Sequence, residues 1–149
     1  MTDTQATTLN ALALYGVALV LAIPFAAQFL LHELPCPLCL LQRILFAMLA
    51  VGPILNVRFG PRPSHYALSL LTAVAGAMVS TRQVLLYILP GDAGYGSALL
   101  GYHYYSWALV GFVAAIVLLA AMLLFDRQFD QRAAQAQAPG RFELLKRGA

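Results

Sequence analysis

Cys36 and Cys39 are the whole cysteine content of the chain, and they lie in the run Leu34-Pro35-Cys36-Pro37-Leu38-Cys39-Leu40-Leu41-Gln42-Arg43. A Cys-x-x-Cys pair can close into a small ring and exchange two electrons, with the thiolate as the reactive form. Pro35 and Pro37 hold the approach extended, because a proline disfavours helix at the residue before it. Cys39 then falls in the first turn of a helix, where the positive end of the macrodipole favours a thiolate. Arg43 follows Cys39 by four residues, one turn along the same helix face, so its guanidinium can sit near the sulfur or near whatever approaches it. Two plainer readings compete. Free cysteines are among the most buried residue types, and two thiols can also ligate metal. The three histidines, His32, His65 and His103, are scattered, and with two cysteines they make no credible tetrahedral set.

The elements that must position this unit are membrane helices. The 149 residues are 61% hydrophobic and 10% charged, against about 25% charged for an ordinary soluble domain. A single domain of this size cannot hide so much apolar surface from water. Four apolar stretches, 11–31, 38–57, 66–89 and 105–125, each meet the roughly 20 residues a spanning helix needs. The expected fold is an all-α integral membrane protein, an antiparallel bundle of four transmembrane helices with short connections. Pro24 and Pro53, inside the first two stretches, are expected to kink them rather than end them. The first stretch reads as an anchor rather than a cleaved signal. Its leader, residues 1–10, carries no Lys or Arg, and its apolar run is longer than a signal core. Residues 126–149 read as a polar tail broken by Pro139-Gly140.

Basic residues give the orientation. Arg58 and Arg62 lie between the second and third stretches, and Arg127, Arg132, Arg141, Lys146 and Arg147 follow the fourth. The connections on the other side, His32 to Pro35 and Pro90 to Tyr104, hold no Lys or Arg. The positive-inside rule therefore predicts both termini in the cytoplasm and Cys36 and Cys39 on the outer face. In a bacterium that face is oxidising. The net charge of +3 reports topology; with no single-face basic cluster there is no nucleic-acid signal.

Arg43 and Arg82 are the two basic residues inside the spans, where an unpaired charge is costly. Snorkelling to the outer interface is the plain alternative for both. Gln28 and Gln42 read as inter-helix hydrogen bonders that could also line a polar pocket. Tyr102, His103, Tyr104, Tyr105 and Trp107 sit where the fourth helix enters the bilayer. They read as an interfacial anchor, with a binding site as the competing idea.

With these residues in view, the chain resembles the disulfide bond formation protein B (DsbB) family of bacterial inner-membrane thiol oxidases. The resemblance rests on Pro35-Cys36-Pro37-Leu38-Cys39-Leu40-Leu41-Gln42-Arg43, on Thr81-Arg82-Gln83-Val84, on Leu89-Pro90-Gly91 and on Ser106-Trp107-Ala108-Leu109. It implies a four-helix protein that reoxidises a periplasmic thioredoxin-fold thiol protein (DsbA-like) and hands the electrons to a quinone, ubiquinone or menaquinone. It also implies that Cys39 is the sulfur beside the quinone, Cys36 the outer sulfur of the exchange, and Arg43 a quinone contact. One departure is plain: the family's second cysteine pair, in the outer loop, has no counterpart in Pro90 to Tyr104. A non-enzymatic membrane subunit stapled by a structural Cys36–Cys39 disulfide is the alternative reading.

Overall fold

A computed structural model of the chain describes residues 3–30, 32, 34–96, 98–125 and 129. The elements run α1 (Asp3–Leu30), α2 (Pro37–Leu49), α3 (Val51–Phe59), α4 (Pro63–Leu86), β1 (Ala98–Leu99), β2 (Tyr102–His103) and α5 (Tyr104–Leu123). They give four helical spans long and apolar enough to cross a membrane, because α2 and α3 together form the second, Pro37–Phe59.

Prolines mark the starts. Pro37 opens α2 and Pro63 opens α4; a proline at the first helical position lacks only an N–H that would go unpaired there. Inside helices the two prolines behave differently. α1 runs unbroken through Pro24. The second span is instead divided at Ala50, three residues ahead of Pro53. Pro53 has no N–H to offer the Leu49 carbonyl, and Ser69 Oγ of α4 donates to that carbonyl at 2.9 Å. A neighbouring helix thus satisfies the group that the proline left free. α1 begins at Asp3, eight residues ahead of the span expected from hydropathy, and α4 ends at Leu86, three short of it. The expected tail, residues 126–149, lies outside the described residues except for Phe129.

The buried face of α4 carries Tyr66, Ser69, Ala73, Gly76, Ser80 and Gln83, spaced three and four apart, with Thr72 beside them. The middle of this stripe is its narrowest point. A Cβ on Gly76 would collide with the Phe112 ring of α5, and that ring stacks on Phe46 of α2 with centroids 3.9 Å apart. Phe46, Leu49, Ala73 and Phe112 form the buried core, with Val17 and Leu21 of α1 packed against it. Elsewhere large apolar side chains such as Leu19, Leu71, Val117 and Leu118 point outward, as lipid-facing residues do.

At the end where α1 and α4 begin and α3 finishes, a polar knot ties three helices. Asn10 Nδ2 donates to Tyr66 Oη at 2.8 Å and Asn56 Nδ2 donates to Asn10 Oδ1 at 3.0 Å. His65 Nδ1 lies 2.9 Å from Asn56 Oδ1. The cysteines sit at the opposite end.

Candidate active site

Cys36 is the N-cap of α2. Its backbone is extended, and its Sγ accepts the Cys39 backbone N–H at 3.0 Å. That places the sulfur at the open end of the helix, where the first amides have no carbonyl partner and the dipole is positive. Cys36 and Cys39 form a disulfide, with Cα atoms 5.0 Å apart. Cys36 is buried, 9% exposed; Cys39 is half-buried and faces a cavity.

The cavity has a volume of about 340 Å³ and lies between α1, α2 and α5. Val20, Ile23, Pro24 and Ala27 of α1 form one wall, and Tyr104, Tyr105, Trp107 and Val110 of α5 another. Cys39, Gln42, Arg43 and Phe46 line it from α2. The wall is apolar apart from a few side chains, the usual character of a small-molecule site. Arg43 is held from two sides. One guanidinium nitrogen donates to Gln28 Oε1 at 2.6 Å, the other to the Pro24 carbonyl at 3.1 Å, and the group lies over the Phe25 ring at 4.8 Å. A planar fork with five donors can satisfy α1 and still present N–H groups to the cavity.

The connection between α4 and α5 closes one end of the cavity. Tyr95 Oη donates to the Leu34 carbonyl at 2.6 Å, two residues ahead of Cys36, and Tyr95, Gly96 and Leu99 line the cavity mouth. β1 and β2 pair antiparallel, Leu99 opposite Tyr102, about a two-residue turn. Leu100 and Gly101 both take positive φ, 54° and 84°, as a turn matched to strand twist demands. Trp107 Nε1 donates to the Leu99 carbonyl at 2.9 Å and so pins this hairpin to α5.

Sequence reasoning reached Cys36, Cys39 and Arg43; the structure sets Cys36 at the cap of α2 and brings Cys39 and Arg43 to one cavity. Gln28 and Gln42 are indeed inter-helix hydrogen bonders, and both also line the cavity. The aromatic cluster does more than anchor, since Tyr104, Tyr105 and Trp107 are cavity wall. Arg82 is exposed beside Met78, Leu86 and Ile116 and stands apart from the cavity. The residue that hydropathy and charge passed over is its neighbour Gln83. Fully buried, Gln83 directs Nε2 at both sulfurs, 3.3 Å from Cys36 Sγ and 3.4 Å from Cys39 Sγ. Gln42 Nε2 donates to its Oε1 at 3.1 Å. The signal was available in the three-and-four spacing of small and polar residues on α4, which marks the inward face of a membrane helix.

Known proteins give a consistent picture. The family model described as Disulfide bond formation protein DsbB matches residues 6–94. The chain is 43% identical over 79 residues to the disulfide bond formation protein B of Chromobacterium violaceum, covering 48% of this chain and 46% of that protein. Against the protein of the same name from Xanthomonas axonopodis pv. citri it is 38% identical over 78 residues, 49% of this chain and 45% of the other. For Stutzerimonas stutzeri the figures are 32% over 85 residues, 54% and 52%. The chain thus spans about half the length of the curated relatives it matches. No solved structure matches it significantly.

Proposed function

The chain belongs to the disulfide bond formation protein B family, and on that premise we propose that it is a thiol:quinone oxidoreductase of the bacterial inner membrane. It takes electrons from a periplasmic thioredoxin-fold thiol protein through Cys36 and Cys39 and delivers them to a membrane quinone, supporting disulfide formation outside the cytoplasm. The observation that carries this reading is that Cys39 and Arg43 line the same, largely apolar cavity.

The residues present fit a quinone headgroup. A flat, apolar ring bearing carbonyl acceptors and no donors suits a slot of about 340 Å³ whose fixed polar feature is a donor-only cation. When bound, such a quinone supplies a two-electron, two-proton acceptor. Arg43 would orient its carbonyl, Cys39 would face its ring, and Tyr104, Tyr105 and Trp107 would keep water out. Basic residues Arg58 and Arg62 at the other end of the bundle support a periplasmic position for the cysteines.

The thiol half-reaction follows from the two sulfurs. A partner thiolate attacks the Cys36–Cys39 disulfide, forms a mixed disulfide with one sulfur, and expels the other as a thiolate carrying the electron pair. A second partner thiol then resolves the mixed disulfide and leaves both cysteines reduced. The attacking thiolate is a third sulfur, beyond the two cysteines of this sequence. The test is an anaerobic titration of quinone-loaded protein with dithiothreitol, following the visible spectrum and free thiols. Quinol should form with the native pair and fail to form in Cys36→Ser and Cys39→Ser. A disulfide that stays closed, or full activity in the double variant, removes the reading.

A further inference from the structure

Gln83 joins α4 to α2 and also sets an amide against the disulfide. It is fully buried near the end of α4, and its Nε2 lies 3.3 and 3.4 Å from the two sulfurs of the Cys36–Cys39 disulfide. Its carbonyl is engaged from behind by Gln42, itself only 5% exposed. With Oε1 accepting from Gln42, Nε2 is the end turned toward the sulfurs. Cys36 Sγ also takes the Cys39 backbone N–H, so the pair sits in a small nest of donors.

A neutral disulfide sulfur is a weak acceptor and returns little for these bonds. A thiolate is a strong one, and a hydrogen bond to an ionised acceptor is roughly twice as strong as a neutral one. The arrangement is therefore worth more after the disulfide opens than before, and a low-dielectric site enlarges that difference. An interaction that strengthens as charge develops accelerates the step and shifts its equilibrium together.

We propose that Gln83, locked in place by Gln42, is a catalytic residue of disulfide opening that stabilises the thiolate expelled from the Cys36–Cys39 bond. The inference rests on the thiol–disulfide exchange read above. The attacking thiolate forms a new S–S bond with one cysteine, the Cys36–Cys39 bond breaks, and its electron pair stays on the departing sulfur, which takes the Gln83 N–H. Because Nε2 reaches both sulfurs, it serves whichever one leaves, and it serves both once the partner's second thiol has completed the reduction. Gln42 is the positioning residue, acting through the Gln83 carbonyl.

The experiment equilibrates the purified, quinone-free full chain in detergent against dithiothreitol redox buffers and counts free thiols by alkylation. Gln83→Leu removes both donors and should shift the equilibrium about tenfold toward the disulfide, which for a two-electron couple is about 30 mV more reducing. Gln83→Glu, which places a like charge beside the thiolate, should shift it further the same way, and Gln42→Leu less. Gln83→Asn, a smaller change that keeps a buried amide while withdrawing it from the sulfurs, serves if the leucine variant fails to fold, with the same sign expected. Ultraviolet thiolate absorbance of the reduced variants at neutral pH should fall in the same order. Folded variants that all stay within twofold of the native equilibrium overturn the role of Gln83. The native protein tests the underlying reading separately. If its own pair resists excess dithiothreitol, both fall; if the pair opens but added quinone never reoxidises it, only the quinone assignment falls.

Discussion

Replacing Arg43 with lysine keeps the charge of the cavity and removes the planar fork. Arginine carries five N–H donors. Two directions are taken by α1, through Gln28 Oε1 at 2.6 Å and the Pro24 carbonyl at 3.1 Å, which leaves three hydrogens of a side chain that lines the cavity. A lysine concentrates three donors at one point. If it holds α1 as Arg43 does, it has at most one hydrogen left and no fixed direction for it. The loss toward a bound quinone is then one charge-assisted hydrogen bond, about 1.5–3 kcal/mol, which raises the Michaelis constant for quinone about ten- to 150-fold. Arg43→Ala is a poorer test, because it also strips Gln28 Oε1 of its donor and loosens α1 from α2. The assay is steady-state quinone reduction in detergent with a saturating thiol donor, paired with the rate at which dithiothreitol opens the disulfide without quinone. The lysine variant should show the rise in Michaelis constant while disulfide opening stays within about threefold. An unchanged Michaelis constant would refute the placement of Arg43 at the acceptor; a defect confined to disulfide opening would assign the guanidinium to the sulfurs instead.

Three further outcomes follow from the packing. Gly76→Val drives a side chain into the Phe112 ring and should destabilise the bundle by about 1–3 kcal/mol through overpacking, seen as a lower melting temperature in detergent; an unchanged melt would mean that the ring moves freely. Ser80 Oγ is fully buried and has no hydrogen-bond partner among the described residues, so Ser80→Ala should hold or raise stability by up to about 1–3 kcal/mol, and a clear loss would count against it. Tyr95→Phe removes the hydrogen bond to the Leu34 carbonyl that closes the loop ahead of Cys36. If loop opening limits access, dithiothreitol should open the disulfide about two- to tenfold faster, the worth of one neutral hydrogen bond; an equal rate would show that the thiol enters by another path.

What the sequence displayed clearly was whatever depends on length and charge. Four apolar stretches announced four spans, and the Cys-x-x-Cys after two prolines announced a paired cysteine unit at a helix start. What it displayed poorly was which face of each helix turns inward. In water apolar residues mark that face, but lipid tails are as apolar as leucine, so burial gives no such contrast. Hydropathy therefore overlooked Gln83 and noticed Arg82, the costlier group by any transfer scale, although Arg82 is exposed and Gln83 touches both sulfurs. The break at Ala50 was equally hidden. Pro53 signalled a disturbance, but its resolution depends on Ser69, twenty residues away, donating to the Leu49 carbonyl.

These misses share one origin, and it explains how the site is held. Tyr66, Ser69, Gly76 and Gln83 lie on one stripe of α4, and each meets a different neighbour. Tyr66 takes Asn10 of α1, Ser69 takes the joint of α2 and α3, Gly76 admits Phe112 of α5, and Gln83 takes Gln42 and the disulfide. With no hydrophobic contrast to choose among rotations of α4, these four contacts choose it. A helix rotated by one residue, about 100°, would carry Gln83 away from the sulfurs and bring Arg82 or Val84 toward them, one a charge without its solvent and the other without a donor. The same rotation would take Tyr66 from Asn10 and His65 from Asn56 at the far end of the bundle. The polar knot and the disulfide, at opposite ends of α4, are thus set by one helix register. A substitution that frees the knot, such as Asn56→Leu, should blur the thiol equilibrium of a disulfide it never touches.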